Sequence, residues 1–301
     1  MHLFQRTKRA ATYNLAQLHT ARARDGCNPK MCRLYGFRSS YPRKIECELI
    51  RAENSLLAQS LKDAHGNSHP DGWGLATHDG ATPRVVRQSE AAGQSTAFRW
   101  ESAQVHACTV LAHVRKATVG DLRPENTHPF SHDRWIFAHN GTLGAFPALR
   151  ERMLAATSSE QRRAILGQTD SEHVFHFILA HVDARPEASL VSAVRAGVTE
   201  LVEWAQREAP NAEIGLNFLL TDGRESVGVR YGRTLWYTLR DRVHPCEVCG
   251  GALHVEGVPP SDYHAIVVAS EPITRSEPWE SFAEGTIFRI DPGAQLHVEA
   301  L

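Results

Sequence analysis

Met31-Cys-Arg-Leu-Tyr-Gly36 is the stretch from which the rest of this 301-residue chain can be read. It puts a thiol directly before an apolar, strand-like run, Arg33–Phe37, and directly after one of only three methionines in the chain. Initiation at Met31 and removal of that Met would leave Cys32 as a free N-terminus, and a small second residue suits such trimming. The residues before Met31 differ in character from the rest of the chain. Residues 1–30 hold six Lys or Arg (Arg6, Lys8, Arg9, Arg22, Arg24, Lys30) and one acid, Asp25. They show no strong strand and no clear helix cap. Three readings stay open: an upstream start codon assigned in error, a transit peptide of the Arg-rich, acid-poor kind, or a propeptide whose removal frees a nucleophile. We expect residues 1–31 to be a leader missing from the working protein and residues 32–301 to form one domain.

Working outward, strand-like runs bounded by Gly, Asp, Asn or Pro occur at Trp73–His78, Arg84–Arg87, Thr109–Val114 and Trp135–Ala138. More lie at Leu216–Thr221, Ser226–Tyr231, Leu235–Leu239, Ala265–Ala269 and Thr286–Ile290. Helical periodicity predicts helices over Glu46–Asp63, Phe146–Ala156, Asp170–Val182 and Ala188–Glu208, the third capped by Thr169 with help from Ser171. The order is strands, helices, then strands. It lacks the strict β-α alternation of a doubly wound parallel sheet and predicts an α+β fold in which helices cover two sheets.

Composition narrows the function. Lys plus Arg (33) nearly cancel Asp plus Glu (34), so neither a nucleic acid nor an acidic membrane is an expected partner. No apolar run approaches the roughly 18 residues of a membrane span, and residues 1–30 lack the apolar core of a secretory signal. Six cysteines in a chain this long make no disulfide framework, and a reducing cytoplasm is the default expectation.

Chemistry concentrates in polar clusters at strand ends: His69-Pro-Asp-Gly-Trp-Gly74, His113-Val-Arg-Lys-Ala-Thr118, Asn126-Thr-His-Pro-Phe130, Ala138-His-Asn-Gly-Thr142 and Gln168-Thr-Asp-Ser-Glu172. Singly, each has a plain explanation. Gly72 and Gly74 permit a turn, Asn140-Gly141 is a hairpin dipeptide, Asp170 caps a helix, and Arg115 is a solvated strand-end charge. Jointly and in this order, together with Met31-Cys32, they resemble the class II glutamine amidotransferase domain of the N-terminal-nucleophile hydrolases. The resemblance runs from Cys32 to about Thr274. Val267-Val-Ala-Ser-Glu-Pro272 is similar to the stand-alone branch, which includes amidohydrolases of ergothioneine synthesis and of glutathione breakdown. The resemblance implies a four-layer αββα sandwich and an enzyme that hydrolyses glutamine or a γ-glutamyl amide.

Elementary chemistry agrees. A free thiol at a pKa of about 8.5 is mostly protonated at neutral pH, whereas an α-amine near 7.7–8.0 is partly neutral. A cysteine at the N-terminus therefore carries its own base; inside a peptide its nitrogen is an amide with no basicity. Attack on a carboxamide places negative charge on oxygen, where one well-placed donor is worth roughly 3–4 kcal/mol. The resemblance gives that task to the Asn140 side-chain amide and the Gly141 backbone N–H. It makes Arg115 the clamp for the substrate α-carboxylate, Asp170 the partner of its α-ammonium, and Thr118 and His128 pocket-lining residues. Asp71, Gly72 and Trp73 are expected at the pocket rim, and Lys116 is assigned nothing.

No cofactor is expected and no residue is assigned to a metal. His244-Pro-Cys246-Glu-Val-Cys249-Gly-Gly-Ala-Leu-His254 has the look of a zinc knuckle. A lone C-x-x-C is weak, however, and a loop with two thiols is the preferred reading; a metal there would be structural and remote from Cys32. Cys47 and Cys108 are expected in core packing. The seventeen histidines form no H-E-x-x-H, and no G-x-S-x-G elbow is present. Relatives often pass ammonia to a fused synthase domain; none is recognisable here, so either the released amine is the point or a separate subunit accepts the ammonia. The rival reading is a non-catalytic γ-glutamyl-binding or scaffold subunit.

Overall fold

A computed structural model describes residues 31–78, 82–251, 255 and 259–301. The proposed leader up to residue 30, which includes Cys27, and His254 lie outside the described residues. The first strand is β1 (Arg33–Lys44), followed by a π turn at Cys47–Arg51, α1 (Leu56–Leu61), β2 (Trp73–His78), β3 (Arg84–Gln88), α2 (Thr96–Gln104) and β4 (His106–Val114). The middle of the chain carries β5 (Phe130–His132), β6 (Trp135–Asn140), α3 (Phe146–Ala156), α4 (Ser159–Ala164), α5 (Asp170–Asp183) and α6 (Leu190–Glu208). It closes with β7 (Asn217–Thr221), β8 (Ser226–Arg230), β9 (Trp236–Arg240), β10 (Ala265–Ala269), β11 (Glu280–Ser281), β12 (Thr286–Ile290) and β13 (Leu296–Ala300).

The strands form two sheets, one in the order β11-β9-β10-β1-β4-β2-β3 and one in the order β13-β12-β8-β7-β6-β5. Strand alternation then generates the layers. Odd positions of β1 (Tyr35, Phe37) pack outward with Leu49, Leu56, Leu57 and Phe98. Leu34, on the even side, packs inward with Leu219, Ile266 and Phe288 between the sheets. On the far side of the second sheet, Phe137, Phe218 and Val229 meet α3, α5 and α6 through Leu149, Phe175 and Leu201. The result is the αββα sandwich expected from the sequence.

The helix predicted across Glu46–Asp63 is broken in two. Ala52 turns extended (ψ 149°) after the π turn. The Asn54 amide donates to the Pro272 carbonyl at 2.6 Å, and the Ser55 hydroxyl restarts the helix by accepting from the Ala58 N–H at 3.2 Å. A tertiary contact thus interrupts a continuous apolar stripe. Thr169 caps α5 through the Glu172 N–H, but Ser171 lies inside that helix and takes no part in the cap. Helix α2 carries no periodic signal in the sequence because it buries only Phe98 and Ser102. Cys108 is half-buried rather than packed in the core.

Gly74 on β2 marks the closest approach of the first sheet to the segment before β5: a Cβ there would sit 2.0 Å from the His128 carbonyl oxygen. A backbone atom cannot swing aside as a side chain does. Gly74→Ala is therefore expected to lower stability by about 1–3 kcal/mol, read as the midpoint of urea unfolding; an unchanged midpoint would contradict the close approach.

Candidate active site

Leu34, Ser270, Asn140 and Arg115 all follow the inward parity of their strands and meet at one end of the inter-sheet layer, beside Cys32. Cys32, directly before β1, is half-buried. Its sulfur lies 3.3 Å from the Lys116 backbone N–H, which donates to it, and 3.5 Å from the Lys116 carbonyl. Burial pushes the thiol pKa up; the Lys116 N–H and the Arg115 and Arg33 guanidinium groups pull the other way without cancelling it, and Asp170 adds to the rise. A thiol so placed stays protonated at neutral pH and needs a base.

Behind Cys32, Arg33 is almost wholly buried. Its Nε donates to Glu271 at 2.8 Å, one Nη to Asp63 at 2.5 Å, and the other back to the Cys32 carbonyl at 2.9 Å. His69 completes the group at 3.2 Å from Asp63, and burial together with Arg33 holds its pKa down to about 4. The strand that starts at the thiol is thus pinned at its first residue.

Asn140 ends β6. Its Nδ2 donates to the Ser270 hydroxyl at 2.8 Å, and that hydroxyl also accepts from the Leu34 N–H at 2.9 Å. Both acceptor positions of Ser270 are used, so the hydroxyl orients the amide and leaves its second N–H free to meet other groups. Gly141 comes next with no room for a side chain: a Cβ would lie 2.0 Å from the Gly215 carbonyl oxygen. Asn140-Gly141 is therefore a strand end held against a second chain segment, not a hairpin turn.

Arg115 commits Nη2 to the Val119 carbonyl (2.8 Å) and the Gly120 carbonyl (3.3 Å), and Nη1 to the Asp121 carbonyl (3.3 Å). Its Nε makes no protein hydrogen bond among the described residues. The guanidinium therefore shapes the 116–121 loop as well as flanking the thiol. The same loop is secured from the other side, where Asp71 accepts from the Ala117 N–H at 2.8 Å and Gln168 accepts from the Asp121 N–H at 3.2 Å. Asp170 stands at the first residue of α5, where the helix dipole favours an acid. It accepts from the Leu143 N–H at 2.8 Å and the Ser171 N–H at 2.9 Å, tying the Gly141–Leu143 segment to the helix.

The structure brings Cys32, Arg115, Asp170 and, through Ser270, Asn140 and Gly141 to one place. Thr118 is exposed on the loop. His128 is buried, with its ring 4.2 Å from that of His113 and 4.6 Å from Phe130, and no hydrogen bond joins it to Cys32 or Asn140. Trp73, expected at the rim, is instead a core residue packed edge-on against Phe98 at 5.1 Å; Asp71 and Gly72 stay beside the loop, Gly72 accepting the Arg115 N–H at 2.7 Å. Sequence reasoning missed Ser270, Glu271 and the Lys116 backbone. For the first two the signal was the run Val267–Pro272, legible as a motif but not as chemistry.

Buried imidazoles make the interior acid-sensitive, among them three around the site. Burial, reinforced by His69 and His139, holds His113 at about 3. Burial, then His113 and His139, sets His128 well below its ordinary value. With His69 these groups are neutral in the fold but protonate near 6.5 when unfolded. Their contribution to stability is whole above that pH and is lost as pH falls toward their folded values. Urea stability measured at pH 7 and pH 5 is expected to fall by on the order of 1 kcal/mol per pH unit for each such imidazole; equal stability at both would show that they are not buried neutral.

A family model for class II glutamine amidotransferases matches residues 31–300. YafJ of Escherichia coli K12, named as a candidate glutamine amidotransferase, is 24% identical over 265 residues, covering 85% of this chain and 95% of its own. The γ-glutamyl-hercynylcysteine sulfoxide hydrolase of Mycobacterium tuberculosis CDC 1551 is 30% identical over 212 residues, 68% of this chain and 78% of its own. Among solved structures, a glutamine aminotransferase class-II domain protein from Silicibacter pomeroyi matches with a TM-score of 0.60 at 19% identity, covering 89% of this chain and 99% of its own. At that identity the match speaks for the fold alone.

Proposed function

This chain belongs to the class II glutamine amidotransferases and is an amidohydrolase, and on that premise we propose that it cleaves the side-chain amide of glutamine or of a γ-glutamyl compound with Cys32 as an N-terminal nucleophile. The observation that carries the proposal is a half-buried thiol with the Arg115 guanidinium and the Asp170 carboxylate beside it, the charges that match an amino acid's carboxylate and ammonium.

In the proposed sequence of steps the chain before Cys32 is absent, and the freed α-amine takes the thiol proton. The sulfur attacks the amide carbon, and the oxygen that gains the electron pair is met by the second Nδ2–H of Asn140 and the Gly141 N–H. The C–N bond breaks, the ammonium returns its proton to the leaving amine, and a thioester remains. Water, deprotonated by the same amine, then releases glutamate and restores the thiol. Arg115 holds the substrate carboxylate through Nε, Asp170 holds the ammonium, and Thr118 borders the entrance. His128 supports the site from the interior. The γ-glutamyl hydrolase name of the mycobacterial relative supports a γ-glutamyl amide whose released amine is the useful product; transfer of ammonia to a separate synthase subunit is the narrower alternative.

Glutamate release from a panel of γ-glutamyl amides, glutamine included, tests this. A chain beginning at Cys32 is expected to turn over and one beginning at Met1 to be inactive, with intact mass identifying the terminus. Cys32→Ala should abolish turnover; undiminished release would end the proposal. kcat/KM should rise with pH through about 7–8, because the neutral amine is the base. Asn140→Ala should lower kcat by about 10²–10³. Ser270→Ala is expected to lower kcat with little change in KM, since it orients Asn140 without touching substrate.

A further inference from the structure

The sequence alone suggests Cys47 as a core residue and Cys246 and Cys249 as a loop with two thiols. The structure gathers all three: their sulfur atoms lie within 4.8 Å of one another. They come from two distant segments, Cys47 from the π turn after β1 and the other two from the loop after β9. Cys47 and Cys246 are buried, Cys249 is exposed, and none is in a disulfide. His244, the imidazole next to this motif, lines the same cavity as Cys47 and Cys246 and pairs with Glu277 at 3.2 Å.

The loop is shaped as a thiol-presenting turn. The Cys246 N–H donates to the Gly251 carbonyl at 2.7 Å, and the Gly250 N–H returns to the Cys246 carbonyl at 2.8 Å. Gly250 has a φ of +72°, which a side chain would strain. The closed turn points two sulfurs the same way, toward a third from another segment. Four-coordinate zinc holds sulfur at about 2.3 Å, so its sulfur–sulfur edges are roughly 3.8 Å, and the observed spacing closes to that with shifts of about 1 Å. Thiolates are soft ligands that select zinc-class ions over magnesium or calcium. Three thiolates around a divalent ion leave one negative charge, and Arg51 at the end of the π turn lies close enough to act electrostatically on Cys47 and Cys249.

We propose that Cys47, Cys246 and Cys249 bind one zinc-class cation as a structural staple, with solvent at the exposed fourth position beside Cys249. Each thiol loses its proton to solvent as the metal–sulfur bond forms, and no redox change occurs. The staple joins the turn after β1 to the long connection between β9 and β10, where the described residues hold only a single helical turn, Pro260–Asp262. It lies apart from the Cys32 site and stands whether or not that site works as proposed.

Metal analysis of the full chain, purified under reductant and dialysed against zinc, is expected to give one zinc per chain. Cys249→Ser should weaken binding by at least about tenfold, and Cys32→Ser and Cys108→Ser should leave it unchanged. Cys47 is buried and its replacement can unfold the protein, so cobalt titration of the unaltered metal-free chain serves as the second measurement. A thiolate-to-cobalt charge-transfer band supports the site. Absence of that band overturns the proposal. So does full zinc retention when Cys246 and Cys249 are both serine, or a native mass showing two of the three sulfurs joined as a disulfide.

Discussion

The buried guanidinium of Arg33 is the constraint on which the rest of the site depends. It sits one residue after the thiol and is held by carboxylates from two distant segments, Asp63 and Glu271. Removing Arg33 would leave two buried carboxylates without their counter-charge, a loss of about 3–5 kcal/mol by the usual behaviour of such groups. An ion pair of this kind is weak support for stability as such. Its value here is positional, because Arg33 also donates to the Cys32 carbonyl and so fixes the placement of the chain at Cys32.

The two sheets convert that anchor into a site. Each contributes inward-facing residues at the same end, and the Ser270 hydroxyl joins them by accepting from Leu34 in the first sheet and from Asn140 in the second. The loop after β4 is then held by its own Arg115, by Asp71 and by Gln168. Hydrogen bonds of about 1–3 kcal/mol each, several of them to charged groups, arranged around the Arg33 anchor, give a rigid frame for a half-buried thiol. Asp170 belongs to that frame as much as to the substrate, since its oxygens already hold Leu143 and the start of α5.

Away from the site, the helix-side layer of the first sheet is organised by charge and sulfur as well as by apolar packing. Glu48 accepts from Arg43 at 2.6 Å and pairs with Arg240 at 2.8 Å, and Arg240 reaches Glu277 at 2.5 Å. The three cysteines border this group.

The sequence by itself determined the family and the layered α+β class, and it singled out Cys32, Arg115, Asn140, Gly141 and Asp170 as candidates. These are legible because motif chemistry and strand periodicity are local: a thiol after Met, a Gly where the chain must pass close, an acid at a helix start. It placed Trp73–His78, Ala265–Ala269, Thr286–Ile290 and Phe146–Ala156 at their observed bounds for the same reason. Only the tertiary structure decided that Trp73 is core and not rim, that Glu46–Asp63 breaks at Ala52, that Ser270 orients Asn140, and that Cys47 joins Cys246 and Cys249. Each of those depends on segments some 25 to 220 residues apart meeting through packing between layers, and no periodicity within one segment carries information about its partner.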